Sequence, residues 1–451
     1  MWRLYPVSPR DPLTPERPPQ SMPRNIFDAN YDWLWYSFGM RMALLFVLLF
    51  VPSVQAQVTH YRVKLTPDFD HQLVKGEETI EFHHGPGEVE WRKQPGLLVS
   101  RITSRKSDVT VSDRGVSVRL RTNGIHRLHL QFTAAPARGL RWYPDHAGLD
   151  TAFYCEAWMV CDNTPGQRAT LTLEVILPSA SGMKAVGPGS LQKQWGDEVG
   201  EHFRFAQNDP VQTYLFSFAV ARLRRTVQDK FILYTLDKGP HPAAMVGTAD
   251  AYAFLRNKAG VDLIDSEYTE AFLPLPSGQE AAGLALMSDR YLGRLEREDN
   301  VAEMTHELAH QWWGVLVGIR SWSDFWLNEG MATFMTDAFL EQRSGRAAYD
   351  REIAMAREGM KELRAEGKDR PLHWEAWKDA NEALGDIPYL KGTLFLDRLR
   401  TELGEENFWR GIALYTSRNA RRFVDSKDFE YAMEKASGRD LKALFDEAVY
   451  H

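Results

Sequence analysis

The chain has 451 residues, which is enough for two or three domains of ordinary size. Its 44% hydrophobic and 25% charged residues are typical of a soluble globular protein. The 54 basic and 61 acidic residues leave a net charge of -7. Because general nucleic-acid binders carry a basic excess, this balance argues against such a protein, and we expect no nucleic-acid partner.

The first 56 residues differ from the rest in composition. A proline-rich start predicts disorder. Arg41, an unbroken apolar run over 43–51 and the small-residue site VQA at 54–56 then form the pattern of a secretory signal peptide. The alternative is a signal anchor that also uses 33–38, and only in that case would the protein meet a membrane. We therefore predict a disordered leader and signal peptide over 1–56, with export to the periplasm or the extracellular space.

The chain has two cysteines, Cys155 and Cys161. An oxidising compartment would permit a disulfide between them, and two buried thiols are the alternative. Their spacing and context do not resemble a zinc site. The sequence leaves the pairing open.

Residues 57–226 show the two-residue alternation and the turn signals of an antiparallel β domain, of a sandwich or barrel-like kind. The alternating stretches are THYRVKL at 59–65, VSVRLRT at 116–122, RLHLQF at 127–132 and TLTLEVIL at 170–177. The stretch TYLFSFAVARL at 213–223 is apolar throughout, which predicts a buried strand.

Helical periodicity dominates the remainder of the chain, 227–451. The change follows a cluster of Gly and Pro residues at 239–242, which is typical of a domain boundary. The predicted helices cover 248–260, 300–316, 325–343 and nearly everything after residue 346. The fold class is therefore α+β and multidomain, with an N-terminal antiparallel β domain followed by a mostly helical domain.

The stretch VAEMTHELAHQWWG at 301–314 contains the pattern H-E-x-x-H, a known zinc metalloprotease motif. His306 and His310 are four residues apart, so on a helix both imidazoles face the same way and can reach one zinc ion. Glu307 lies beside the metal and can act as a general base. Asn300 and Glu303 predict a capping box at the start of this helix.

A second predicted helix follows in SWSDFWLNEGMATFMTDAFLEQ, with Asp324 as its N-cap. Glu329 in its first turns completes a His₂Glu ligand set and leaves the fourth position for water. Two unrelated histidines on a helix surface would be the alternative, but the added carboxylate favours a site for one zinc ion. His₂Glu also accepts other divalent metals.

At these residues the sequence resembles the aminopeptidase N family of gluzincin zinc metallopeptidases, which includes leukotriene hydrolase. HELAHQWWG and SDFWLNEGMATF carry the resemblance, and CDNTPGQRATLTLEVILP at 161–178 and YLKGTLFLDRL at 389–399 support it. It extends from about residue 60 to the C-terminus. The resemblance implies a saddle-like β domain, a thermolysin-like catalytic domain, and a short form without the family's C-terminal helical domain, whose cleft would be more open.

The resemblance also implies further site residues. Tyr389 takes the place of the tyrosine that donates a hydrogen bond to the oxyanion. Glu280, in SGQEAAGLAL, takes the place of the glutamate that binds the substrate's free amino group. The neighbouring positions depart from the family, because Gln279 replaces a methionine and Ala281 replaces an asparagine.

The β domain of the family supplies a second polar group for the same amine. An ungapped match places Thr151 there, whereas a gapped match places Glu156 there.

These residues predict a zinc-dependent metallopeptidase that acts on peptides as an aminopeptidase. One alternative is a zinc endopeptidase, or a hydrolase of another carbonyl or epoxide substrate, since the stretch 277–286 is altered. The other is a catalytically silent scaffold that binds peptides. Side-chain preference and oligomeric state are not predicted by the sequence.

Overall fold

The computed structural model describes residues 57–104, 107–236, 239–377 and 380–451. The predicted leader and signal peptide lie outside these residues, so they and the predicted export remain predictions. Within the described ranges, no helix combines the length and the apolar character that a membrane crossing requires.

The first half of the described chain is built from strands. They are β1 (Gln57–Asp68), β2 (Leu73–His84), β3 (Gly87–Arg92), β4 (Leu97–Ser104), β5 (Asp108–Val111), β6 (Gly115–Leu120), β7 (Gly124–Ala134), β8 (Leu140–Trp142), β9 (Gly148–Thr151), β10 (Arg168–Leu177), β11 (Lys184–Val186), β12 (Ser190–Gly196), β13 (Glu201–Gln212) and β14 (Ala219–Ala221). The largest sheet has the order β12-β13-β10-β1-β2-β7-β4, and two smaller sheets have the orders β11-β14-β9-β8 and β3-β6-β5. Each of the four alternating stretches overlaps a strand, as expected for sheets with one buried face.

The stretch 213–223 does not form the long buried strand that its apolar run predicts. It consists of a 3₁₀ turn at Thr213–Leu215 and the short strand β14. The stretch leaves the seven-stranded sheet at the end of β13 and enters the four-stranded sheet at β14. Its residues through Ala221 are buried because they pass between these two layers.

The second half combines helices with a five-stranded sheet of order β15-β16-β17-β19-β18 and a parallel pair, β20 with β21. Its elements are β15 (Arg224–Gln228), β16 (Phe231–Thr235), α1 (Pro242–Ala259), β17 (Tyr268–Leu273), β18 (Gln279–Ala281), β19 (Leu284–Ser288), α2 (Asp289–Glu298), α3 (Ala302–Ala309), β20 (Val317–Ile319), α4 (Trp326–Ser344), α5 (Arg346–Ala365), α6 (Ala380–Ala383), α7 (Asp386–Leu403), α8 (Glu405–Asn419), β21 (Arg422–Val424), α9 (Ser426–Ser437) and α10 (Lys442–Ala448). The α+β fold class is confirmed. The predicted boundary between residues 226 and 227 falls inside β15, which pairs with β16.

Helix α3 is shorter than the predicted helix over 300–316. It ends at Ala309, and Gly314 follows with a φ of 143° that a right-handed helix cannot contain. The predicted capping box is also wrong, because the N-cap residue is Val301 and no side chain caps the helix. The Asn300 side chain accepts a hydrogen bond from the Ala302 amide at 3.2 Å, and Glu303 turns toward Arg294.

Asp324 is not the N-cap of α4, which begins at Trp326 after a 3₁₀ turn. Its carboxylate accepts hydrogen bonds from His373 Nδ1 at 2.8 Å and from the Ser426 hydroxyl at 2.6 Å. Asp324 therefore ties this turn to the start of α9, and neither of its partners is a predicted metal ligand. A single sequence does not reveal partners so distant along the chain.

Cys155 and Cys161 form a disulfide, with their Cα atoms 6.2 Å apart. Both residues are fully buried. The structure thereby decides between the two possibilities that the sequence left open.

Two glycines allow α4 and α7 to approach at backbone distance. A Cβ added at Gly392 would lie 2.7 Å from the Gly330 Cα, closer than carbon atoms pack. Gly330 follows Glu329 in the chain, and Gly392 is one turn beyond Tyr389. This approach therefore sets the spacing between two of the predicted site residues.

Gly392→Ala is expected to lower the free energy of unfolding by about 1–3 kcal/mol, because neither backbone can move aside without separating the helices. Urea denaturation would measure the change. Gly293→Ala is the matched control, since Gly293 is also inside a helix but meets only the tip of the Arg297 side chain, at 3.1 Å. The control should be unchanged or more stable by up to about 1 kcal/mol. Equal losses in both variants would contradict the proposed close approach.

Candidate metal centre

Helices α3 and α4 bring the three predicted ligands to one point. The Nε2 atoms of His306 and His310 are 3.1 Å apart. Each of them lies 3.3 Å from Glu329 Oε2. The side chains of His310 and Glu329 are only 1% exposed. His306 lies on α3, His310 is the C-cap residue of that helix, and Glu329 lies in the first turn of α4, so the convergence depends on the packing of these two helices.

The donor set fits a tetrahedral divalent ion. Bonds of about 2.0–2.1 Å to zinc in tetrahedral geometry would place the ligand atoms about 3.3 Å apart, which is close to the observed spacing. His310 Nδ1 lies 3.2 Å from the Trp313 carbonyl oxygen, so this nitrogen carries the ring proton and Nε2 presents its lone pair to the centre. Lone pairs and a carboxylate oxygen repel one another at this spacing unless a cation lies between them.

The charges around the centre are mostly negative. Burial alone would raise the pKa of Glu329, but a protonated His310 and hydrogen bonds from both imidazoles, where Nε2 carries a proton, outweigh it and hold this pKa at about 2. A cation between the three groups would take the place of those protons. Burial raises the pKa of Glu307 well above its usual range, and the charge of Glu280 raises it further. A bound cation would offset this repulsion, so the electrostatics of the site favour occupation by a metal.

Glu307 follows the first histidine and is almost completely buried at 6% exposure. Ligand atoms of Glu307, Glu280 and His310 all lie within 4.8 Å of one another. The chain approaches Glu307 closely at Gly278, where an added Cβ would lie 2.8 Å from the Glu307 Cδ. Gly278 is a site residue with only a weak signal in the sequence, namely a glycine two positions before Glu280.

Tyr389 projects from α7 onto the metal ligands. Its ring stacks on the His306 ring with centroids 5.9 Å apart and an interplanar angle of 16°. Burial raises the pKa of the Tyr389 hydroxyl well above its usual range, and the charge of Glu329 raises it further. The hydroxyl therefore keeps its proton and can donate a hydrogen bond in the cleft.

Glu280 lies on β18, the edge strand of the five-stranded sheet, and is 5% exposed. Its Oε2 accepts a hydrogen bond from Gln279 Nε2 at 2.9 Å, while Oε1 is buried without a hydrogen-bond partner. Burial raises the pKa of Glu280 to about 8 against the opposing charge of His310. The unsatisfied oxygen leaves one acceptor for a substrate ammonium group.

The two candidates for the second group that binds the amine both lie in the β domain, and Thr151 is the last residue of β9. Thr151 is buried, and its hydroxyl oxygen accepts a hydrogen bond from the Phe218 amide at 2.8 Å. Glu156 lies in the 3₁₀ turn Cys155–Ala157, beside the disulfide.

A contact between the two halves of the chain supports the ligand helix. Asn328, the residue before Glu329, donates from Nδ2 to the Tyr214 hydroxyl at 2.9 Å. The Tyr214 ring in turn stacks on Phe153, with centroids 5.8 Å apart and an interplanar angle of 6°. Tyr214 carries no local signal in the sequence, because its partner is more than 100 residues away.

The chain is similar to known peptidases. Residues 281–447 match the peptidase family M1 domain. The chain is 26% identical over 309 residues to leucine aminopeptidase 2 of Aspergillus niger. The aligned region covers 65% of this chain and 49% of that protein. It is 30% identical over 189 residues to aminopeptidase N of Streptomyces lividans, covering 39% of this chain and 22% of that protein. The chain thus spans at most about half the length of these two relatives.

Solved structures share the fold of both halves. The M1 zinc metallopeptidase of Deinococcus radiodurans superposes with a TM-score of 0.73 at 22% identity, covering 87% of this chain and 94% of that one. Yeast LTA4 hydrolase in complex with bestatin superposes with a TM-score of 0.74 at 19% identity, covering 88% of this chain and 68% of that one. Residues 281–447 thus match the M1 peptidases in sequence, and the chain shares its fold with solved M1 zinc metallopeptidases.

Proposed function

We propose that the protein is a zinc-dependent aminopeptidase that removes the N-terminal residue from peptides. The convergence of His306, His310 and Glu329 at 3.1–3.3 Å carries the proposal. Glu280 supports the exopeptidase specificity, because its buried carboxylate offers an unsatisfied oxygen beside this centre. The relatives named as aminopeptidases support the same reaction class.

Each side chain has a role that its position allows. A zinc ion held by the three ligands would supply Lewis-acid activation of water and of the substrate carbonyl. Glu307 accepts the proton of the attacking water and passes it to the leaving amine. Tyr389 donates a hydrogen bond to the developing oxyanion. Glu280 pairs with the substrate ammonium group and so places the first peptide bond at the centre.

The proposal is tested by comparing alanyl peptides with a free amine and the same peptides with an acetylated amine. We expect acetylation to lower kcat/KM on the order of 10²-fold, because it leaves the Glu280 carboxylate without its charged partner. Glu280→Gln should lower kcat/KM for the free peptide and reduce the difference between the two substrates. Equal cleavage of free and blocked peptides by the unmodified protein would overturn the exopeptidase assignment.

A further inference from the structure

A buried carboxylate that the proposed mechanism does not use lies one helical turn before Glu307. Glu303 is on α3, four residues before Glu307, so the two side chains share one face of the helix. The Glu303 side chain is 13% exposed, and its Oε2 lies 3.8 Å from Arg294 Nη2, beyond the range of a close ion pair. The Gly278 backbone amide also approaches this carboxylate, and Oε1 remains buried without a hydrogen-bond partner. A buried acceptor without a hydrogen bond is unfavourable, and a ligand could supply the missing donor.

The course of the edge strand shows which part of a substrate would meet Glu303. The segment from Gly278 to β18 runs along α3, with Gly278 against Glu307 and with Glu280 near His310. At the far end of the strand, the Ala281 carbonyl accepts a hydrogen bond from Gln311 Nε2 at 2.9 Å. From Gly278 to Ala281 the strand therefore runs in the same direction as α3, and the path from Glu280 back to Gly278 leads toward the N-terminus of the helix.

The positions of the carboxylates give the same order of groups. Glu307 lies one helical turn after Glu303 on α3, and its carboxylate lies within 4.8 Å of that of Glu280. Glu307 thus adjoins both of the other carboxylates. A peptide with its amino group at Glu280 and its first peptide bond at Glu307 would continue toward Glu303.

We propose that Glu303 selects the second residue of the substrate and favours lysine or arginine there. This inference rests on the proposed aminopeptidase function and adds a substrate class to it. The N–H groups of a cationic side chain would satisfy the Oε1 atom of Glu303 in a charge-assisted hydrogen bond. An acidic second residue would be repelled by the carboxylates of Glu303 and Glu307. Arg294 faces the same carboxylate from α2 and competes with the substrate.

The test uses the dipeptides Ala-Lys, Ala-Leu and Ala-Glu, together with alanine amide, which has no second side chain. We expect kcat/KM to decrease in the order Ala-Lys, Ala-Leu, Ala-Glu. Glu303→Gln should lower the ratio of Ala-Lys to Ala-Leu about 10-fold, the size of a single hydrogen bond to a charged group. Arg294→Gln is the matched variant, and it should raise the same ratio because it removes the competing cation. Each variant is judged by the ratio of kcat/KM for Ala-Lys to kcat/KM for Ala-Leu. A variant that loses total activity equally for both substrates therefore keeps the same ratio.

The outcomes separate this inference from the proposed function. If the unmodified protein hydrolyses alanine amide and all dipeptides, but the Lys-to-Leu ratio is the same in both variants, the role of Glu303 is refuted and the aminopeptidase proposal stands. If the unmodified protein hydrolyses none of these substrates, the aminopeptidase proposal itself fails. Should Glu303→Gln not fold, as judged by its thermal transition, the Arg294→Gln ratio alone decides, and an unchanged ratio refutes the inference.

Discussion

Substitution of Glu307 by Gln is expected to lower kcat by about 10²–10⁴-fold, the usual contribution of a general base. Glutamine keeps the size of the side chain but cannot accept the proton of the attacking water. Bound metal should remain at the level of the unmodified protein, since Glu307 is not one of the three converging ligands. Steady-state hydrolysis of alanine amide and elemental analysis of the same sample would measure both quantities.

The control for this prediction is Glu298→Gln, an exposed glutamate at the end of α2. It carries the same chemical change away from the cleft and should retain full activity. If the unmodified protein turned over no faster than Glu307→Gln, the silent-scaffold alternative would replace the enzyme. Loss of metal in Glu307→Gln would instead show that this carboxylate acts as a ligand.

Substitution of Glu329 by Gln is expected to abolish stoichiometric metal binding. The low pKa of Glu329, about 2, means that the unmodified side chain is an anion at every ordinary working pH. A neutral amide removes that charge from a fully buried site, and two imidazoles alone form an incomplete ligand set. We expect metal affinity to fall by more than about 100-fold, since even changes to groups behind the ligands cost 10–100-fold. Activity should fall with it.

Competition with a metal indicator would measure the affinity of each variant. Glu341→Gln is the control, because Glu341 lies on the same helix and pairs with Arg400 Nη1 at 2.7 Å near its far end. It should bind metal as the unmodified protein does. Unchanged affinity in Glu329→Gln would disprove the ligand set, and with it the proposed chemistry.

The sequence by itself determined the parts of the site that depend on local spacing. Two histidines four residues apart must face the same way on any helix, and this is the arrangement of His306 and His310. Alternating side chains in stretches such as 59–65 and 170–177 predicted strands, because a sheet with one buried face selects that pattern. Glu329 could be placed by its position in a second helix, and the structure brings it to the histidines.

Only the tertiary structure decided features that join distant parts of the chain. The true end of α3, the approach of Gly278 to Glu307 and the contact of Tyr214 with Asn328 depend on backbone positions that no local period encodes. Glu303 shows the difference most clearly. In the sequence it completes a capping box, but in the fold a neighbouring helix and an edge strand surround it and leave it an unsatisfied acceptor. Local periodicity sets which face a side chain occupies, whereas its partners are set by packing between elements.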